Sequence, residues 1–384
     1  MTATERKHAL LSASGAHRWL NCTASPRLEE TFPDNQSEHA ALGTLAHEVG
    51  ELKLQKWLTL MKPSTYTSRL KKLKNSPLWE DAIMGHTDTY IDYIKSIVHQ
   101  FPSNPYVAIE KRLNFSAWVP EGFGTGDCII IGNETLYVID FKYGKGVPVS
   151  AERNEQLLLY ALGAYTEYSF LYSIRNVVLV VVQPRLDSIS EYGLTTKELL
   201  DWGENVKPVA RKAFEGNGEF KAGDWCRFCR AKSQCRARAT DLISLESYGF
   251  AKPPLLSNEE IGQILLKAKD LAKWAKDIEE WALGECLAGG EVPGWKVVAG
   301  RTSRGYTDMD AAFENLKTQG VREELLFERK PLTVPALEKV LGKELYENWS
   351  ADFVKIEPGK PTLVQENDKR EALKPNLEGI FKPI

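Results

Sequence analysis

The run RNVVLVVVQPR at residues 175–185 limits the possible folds more than any other segment. A strand with one wet face alternates apolar and polar residues, whereas this one is apolar on both sides. It reads as a buried central strand, which needs cover on both faces of its sheet. Helical periodicity on either side, at 151–169 and 196–215, supplies candidates for that cover. Upstream, YVAIEKRLNF, GDCIIIG and TLYVIDFKYG are short Val-, Ile- and Tyr-rich runs bounded by Gly, Pro and Asn. They read as three consecutive strands, with GNE at 132–134 as a hairpin turn. The order helix, β-meander, helix, strand predicts an α/β core with a mixed sheet.

Residues 36–60 and 79–100 carry apolar positions at helical spacing and predict two further helices. Between them, 62–77 is basic, contains RLKKLK and reads as a solvated connection. AKPPLLSN at 251–258 reads as a linker, after which Ser257 and Glu260 form a capping box opening a long helix to the glycines at 289 and 290. Its apolar stripe, from Ile261 through Trp274 to Trp281, must be buried against something. GWKVVAGRTSRGY offers a possible strand and a basic loop. The expected division is a core at 1–250 and a mainly helical C-terminal accessory region of unassigned role at 251–384.

Forty-nine basic and 52 acidic residues leave a net charge of −3. That excludes a globally basic nucleic-acid binder but not a local patch. Residues 205–238 hold nine Lys/Arg against three acids, and Trp225 and Phe228 lie among them. No apolar run has the length of a membrane span or a signal-peptide core, so no membrane partner is expected, and a cytoplasmic setting is.

The chemistry concentrates in the strand region. Asp127 opens one strand, and Asp140 and Lys142 sit at i and i+2 of the next, on one sheet face. A hairpin brings the two carboxylates together, and adjacent carboxylates call for a cation such as Mg²⁺. So held, a cation ionises water and stabilises phosphate charge, with the lysine as a second positive group. His47 and Glu51 share a helix face at i and i+4, and Glu110 lies in the preceding strand. Taken alone, D-x-K is more often a surface ion pair and a His/Glu helix face more often merely polar; their joint order is the informative feature.

Three of the six cysteines fall in DWCRFCRAKSQC as Cys226, Cys229 and Cys235, a metal-ligand cluster lacking its fourth member. Cys22, among polar helix-ending residues, is the best distant candidate. Cys128 and Cys286 read as small buried hydrophobes. Spacing leaves zinc and iron–sulfur open.

These motifs together resemble the PD-(D/E)XK nucleases of the RecB type. G-x-x-x-H-x-x-x-E is matched by Gly43, His47 and Glu51, G-x-x-D by Gly124 and Asp127, D/E-x-K by Asp140, Phe141 and Lys142, and Q-x-x-x-Y by Gln156 and Tyr160. The resemblance implies a restriction-endonuclease-like core, with His47, Asp127, Asp140 and the Phe141 carbonyl as ligands of Mg²⁺ or Mn²⁺. It implies a catalytic Lys142; Glu51, from the helix motif, and Glu110, from its place in the neighbouring strand, are added to the expected catalytic set. Gln156 and Tyr160 would contact DNA or orient the lysine. One cysteine before the core and three after it is also the arrangement of AddB-like nucleases, which implies a 4Fe–4S cluster on Cys22, Cys226, Cys229 and Cys235, with zinc the alternative. SASGAHRWLNC, GTGDCII and IDFKYGKG are similar to a phage and prophage family whose genes often lie near recombination genes. The expectation is a metal-dependent DNA exonuclease of recombination or processing, with a single-strand annealing protein as a possible type of partner. The alternatives are a non-catalytic DNA-binding scaffold on this fold and a zinc-stabilised enzyme acting on another phosphodiester.

Overall fold

The computed structural model describes residues 9–33, 38–244, 256–298, 308–327 and 332–342, together with 345–346, 348 and 354. Two short helices, α1 (Ala16–Asn21) and α2 (Ser25–Glu29), are followed by α3 (Glu38–Leu58), α4 (Pro63–Lys74) and α5 (Ala82–Val98). Strands β1 (Tyr106–Asn114), β2 (Phe123–Gly132) and β3 (Thr135–Phe141) form the meander. Helix α6 (Glu155–Tyr168) crosses over to β4 (Asn176–Gln183), which turns into β5 (Ser188–Thr195) and α7 (Thr196–Glu215).

The five strands lie in sequence order, antiparallel except for the parallel β3–β4 pair. The result is the mixed sheet flanked by helices that the sequence predicts. β4 is interior rather than central, paired with β3 on one side and the edge strand β5 on the other, as its two-sided apolar pattern requires. Alternation along β2 and β3 divides the core in two. Ile129, Ile131, Leu136 and Val138 meet α6, α7 and the N-terminal segment. Cys128, Ile130, Ile139 and Phe141 meet α3 and α5.

Several details depart from expectation. Residues 63–74 are a helix rather than a solvated connection, because Pro63 starts it and Leu70 and Leu73 reach the core beneath. The edge strand β5 has no counterpart in the sequence reading, as its SISEYGLT alternates only weakly in hydropathy. Residues 295–298 form no strand, and the rest of that segment, 299–306, lies outside the described residues, as do the linker residues 251–255. Cys286 is partly exposed rather than buried.

A turn at Asp224–Phe228 leads to α8 (Arg236–Ile243), and α9 (Asn258–Leu287) opens with the expected Ser257–Glu260 capping box. The compact units are Met1–Val297 and Val298–Ile384, so the division falls 47 residues beyond the one drawn at 250/251, and α9 belongs to the first unit. The α9 stripe is not buried along its length, since Ile261, Leu265 and Trp281 stay exposed. The helix docks at two points: Lys267 Nζ donates to Ser244 Oγ at 2.7 Å, and further along Trp274 Nε1 donates to the Lys232 carbonyl at 3.0 Å while Asp277 pairs with Lys232 at 2.6 Å and Arg238 at 3.0 Å. The second unit contributes α10 (Met309–Thr318) and α11 (Val334–Leu341), with Phe313 edge-on to Phe327. No helix among the described residues is long and apolar enough to cross a membrane.

Candidate active site

The site lies where β2 and β3 part. Their pairing ends at Cys128↔Ile139, which leaves Asp127 and Asp140 facing each other one step beyond it. On the other side, β1 pairs with β2 at Ile109↔Cys128 and Lys111↔Gly126, so Glu110 stands across from Asp127. Three carboxylates thus occupy one row across three strands. Glu110 is also in the left-handed region, at φ 46. For a residue other than Gly this conformation costs on the order of 1–3 kcal/mol, and such strain clusters at functional sites.

Past the last β2–β3 pair, side chains replace the ladder. Asp127 Oδ2 accepts the Phe141 N–H at 2.7 Å and lies 3.5 Å from His47 Nδ1. Lys142 Nζ sits 3.1 Å from Asp140 Oδ2 and donates to Gln156 Oε1 at 3.0 Å. Gln156 in turn donates to Asp140 Oδ1 at 3.0 Å and to the Tyr160 hydroxyl at 3.4 Å. Gln156 thus bridges Lys142, Asp140 and Tyr160. Gly124 makes room for Tyr160: a Cβ there would lie 2.7 Å from the ring.

His47 comes from α3 on the opposite face and packs edge-on against Phe141 at 5.3 Å. Burial opposes its charge, but Asp127 overcomes that and raises its pKa to about 9. Burial pushes Asp127 up, yet His47 and the Phe141 N–H hold it below the usual carboxylate range. Burial raises Asp140 above that range, despite Lys142. Lys142 is raised against burial by Asp140 and Asp127. Burial, then Asp127, lifts Glu110 to about 7.

Among the described residues, the one set of ligand atoms within 4.8 Å of one another is His47, Glu110 and Asp127. Asp140 Oδ2 is buried and accepts no hydrogen bond, although the lysine charge is near. An oxygen-rich set with an orphaned carboxylate atom fits a hard divalent cation. Glu51 lies further along α3, where Gln55 Nε2 donates to it at 2.7 Å. Nothing in the geometry singles out the Phe141 carbonyl; its amide is the group tied to the site.

The sequence reading missed two residues here. Tyr90 of α5 stacks on Phe141 at 4.8 Å, and its hydroxyl is buried without a partner. Gln183, at the end of β4, donates to the carbonyls of Gly144 and Val147 and accepts from the Val149 N–H, fixing the loop after Lys142. A polar residue closing an all-apolar strand was the signal for it.

Cys22, Cys226, Cys229 and Cys235 line one cavity, flanked by the cations Arg18, Lys221 and Arg238. Cys22 ends α1, and its Sγ accepts the Lys221 N–H at 3.5 Å. Burial raises the Cys226 thiol, and it raises Cys229 to about 12. Four soft donors with nearby positive charge are the right chemistry for a thiolate-ligated centre, although the sulfurs are spaced more widely than the His47 set. Protein contacts alone already join the two cysteine-bearing segments. Arg18 pairs with Glu29 at 2.8 Å, Glu29 accepts the Arg230 N–H, and Thr23 Oγ1 accepts the Glu219 N–H. A Cβ on Gly218 would lie 2.2 Å from the Thr23 backbone, so only glycine allows this approach. Trp225 lines the cavity, whereas Phe228 projects into solvent.

Fold and site define an α/β protein with an acidic, histidine- and lysine-bearing centre at the parting of two strands, and a four-cysteine cavity where the chain enters and leaves the core. The chain belongs to the family described as protein of unknown function (DUF2800), whose family model matches residues 8–371. It is also similar to a solved structure described as the crystal structure of SSO0001, at 18% identity over 50% of this chain and 95% of that one. The TM-score of 0.24 does not establish a shared fold.

Proposed function

We propose that this protein is a divalent-metal-dependent deoxyribonuclease, working as an exonuclease in DNA recombination or processing in a phage or bacterial setting. One observation carries the reading: Glu110, Asp127 and Asp140 occupy one row where the sheet parts, with His47 and Lys142 closing on them. Asp127, Asp140 and His47 would hold Mg²⁺ or Mn²⁺, with Glu110 in reach. When bound, the cation supplies an acidified water and a positive charge for the phosphate oxygens. Lys142 adds a fixed donor beside that charge, and Gln156 sets its direction. Gly124 and Tyr160 wall the site on the α6 side.

The four-cysteine cavity supports a 4Fe–4S cluster holding Cys22 of the N-terminal segment to the 226–235 loop, with zinc as the alternative. A phage single-strand annealing protein is the partner type this setting suggests. The test is incubation of anaerobically purified protein with end-labelled linear and circular DNA in Mg²⁺ or Mn²⁺. Metal-dependent loss of linear DNA alone supports an exonuclease. No cleavage of either, with DNA binding retained, supports the non-catalytic scaffold instead.

A further inference from the structure

Helix α4 is a basic surface with no acidic partner on it. Between Glu51 and Glu80 the chain has no Asp or Glu but seven Lys and Arg. Lys53 is buried against Asp88, while Lys56, Lys62, Arg69, Lys71, Lys72 and Lys74 are exposed. Other surface lysines carry an acid one turn away, as in Lys95–Asp92, Lys197–Asp201 and Lys207–Glu204. Among the described residues, no carboxylate pairs with a cation of α4. Like charges crowded on one helix face destabilise it unless an anion arrives. The fold holds the helix in place nonetheless, seating Leu70 and Leu73 against the core and Lys56 over the Tyr66 ring at 4.3 Å.

The helix is also tied to the candidate site. Arg69 donates to Gln55 Oε1 at 2.6 Å, and Gln55 donates to Glu51, on the same face of α3 as His47. From His47 to Gln55 is eight residues of helix, about 12 Å at 1.5 Å per residue. At roughly 3.4 Å per nucleotide step, that is the span of three to four nucleotides.

We infer that the exposed face of α4 binds the sugar–phosphate backbone of the DNA substrate, along the strand from the phosphate at the carboxylate row. This rests on the nuclease reading and adds the path by which the strand reaches the site. Binding through lysines as point charges carries no base information, so the contact is independent of sequence.

The test replaces Lys71, Lys72 and Lys74 by Gln together, with an all-Arg counterpart as control. All three side chains are exposed, and none belongs to the site. Anisotropy of a fluorescein-labelled duplex is measured from 50 to 300 mM NaCl with Ca²⁺ in place of Mg²⁺, and cleavage is measured separately in Mg²⁺. The Gln variant should bind about tenfold or more weakly, with a log–log salt slope shallower by about 2–3, while the Arg variant matches wild type. Cleavage at saturating DNA should be unchanged in both. If wild type binds and cuts but the Gln variant keeps its affinity and slope, α4 is not the contact and the nuclease reading stands. A collapse of the saturated rate with affinity preserved overturns the contact equally. If wild type neither binds nor cuts DNA, both readings fall.

Discussion

Asp127 accepts the main-chain N–H of Phe141 through its side chain, at 2.7 Å, where the β2–β3 ladder has just ended. The same Oδ2 atom lies 3.5 Å from His47 Nδ1. One carboxylate thus closes a gap in the sheet and ties a helix on the far face to it. Replacing Asp127 by Ala should cost stability as well as any activity, whereas Asp127→Asn keeps an acceptor for Phe141. Chemical denaturation should rank Ala below Asn by about 1–3 kcal/mol, the cost of leaving a buried N–H unmatched. Equal stability would mean the bond contributes nothing.

Asp140 and Lys142 balance each other in a largely enclosed site. Lys142→Ala alone leaves Asp140 beside Asp127 without its counter-charge. It should therefore cost more stability than Lys142→Ala combined with Asp140→Asn, by on the order of 2 kcal/mol in metal-free protein. On the nuclease reading, Lys142→Ala should slow cleavage on the order of a hundred- to a thousandfold. Undiminished cleavage would remove Lys142 from the chemistry.

Cation binding should release protons. His47, despite burial, is raised by Asp127 to about 9, and burial with Asp127 raises Glu110 to about 7, so both are protonated in mildly acidic, metal-free protein. A bound cation requires the neutral imidazole and the carboxylate. Mn²⁺ affinity should thus rise from pH 6 to 9, with His47 supplying the proton above pH 7. Calorimetry in buffers of different ionisation enthalpy reads that proton directly, and His47→Ala should abolish it in that window. An affinity flat across the range would contradict the ligand assignment.

Cys22→Ser, Cys226→Ser, Cys229→Ser and Cys235→Ser should each lose visible absorbance, iron and sulfide together. Cys128→Ser and Cys286→Ser should retain them, because those residues lie outside the cavity. Colourless wild-type protein with stoichiometric zinc would decide for the alternative.

Asp277 of α9 neutralises Lys232 and Arg238 behind the cysteine loop. Asp277→Ala should cost about 1–3 kcal/mol by leaving the buried Arg238 unpaired. A chain ending before Ser257 should be less stable than full length by at least as much, as read by chemical denaturation. A truncated protein as stable as the whole would show that the docking is incidental.

The strands were legible because β2, β3 and β4 are dense in Ile and Val and bounded by turn residues, and the site was legible because its residues recur at fixed spacings. What escaped depended on context. The segment carrying RLKKLK looks unstructured until Leu70 and Leu73 find the core. β5 has almost no hydropathy pattern and exists because β4 offers it an edge. Tyr90 was not singled out on α5, since only tertiary packing brings it onto Phe141. The extent of α9 was clear, but a stripe at helical period does not say how much of itself is covered.

The contacts joining Arg18, Thr23 and Glu29 to residues 219–230 also bear on how the chain is made. Ribosomes add about 5–20 residues per second, so the N-terminal segment emerges roughly 10–40 s before the loop that covers it. Through that interval Cys22, buried at the end, lacks the loop that completes its surroundings, whereas Trp19 packs in the core that precedes residue 215. The sheet can form in the meantime, since its strands are neighbours in sequence. The stretch from Cys22 to Glu29 gains its last contacts only then, and a nascent chain stalled before residue 219 should leave that stretch more open to protease than in the finished protein, while β1–β5 are already protected.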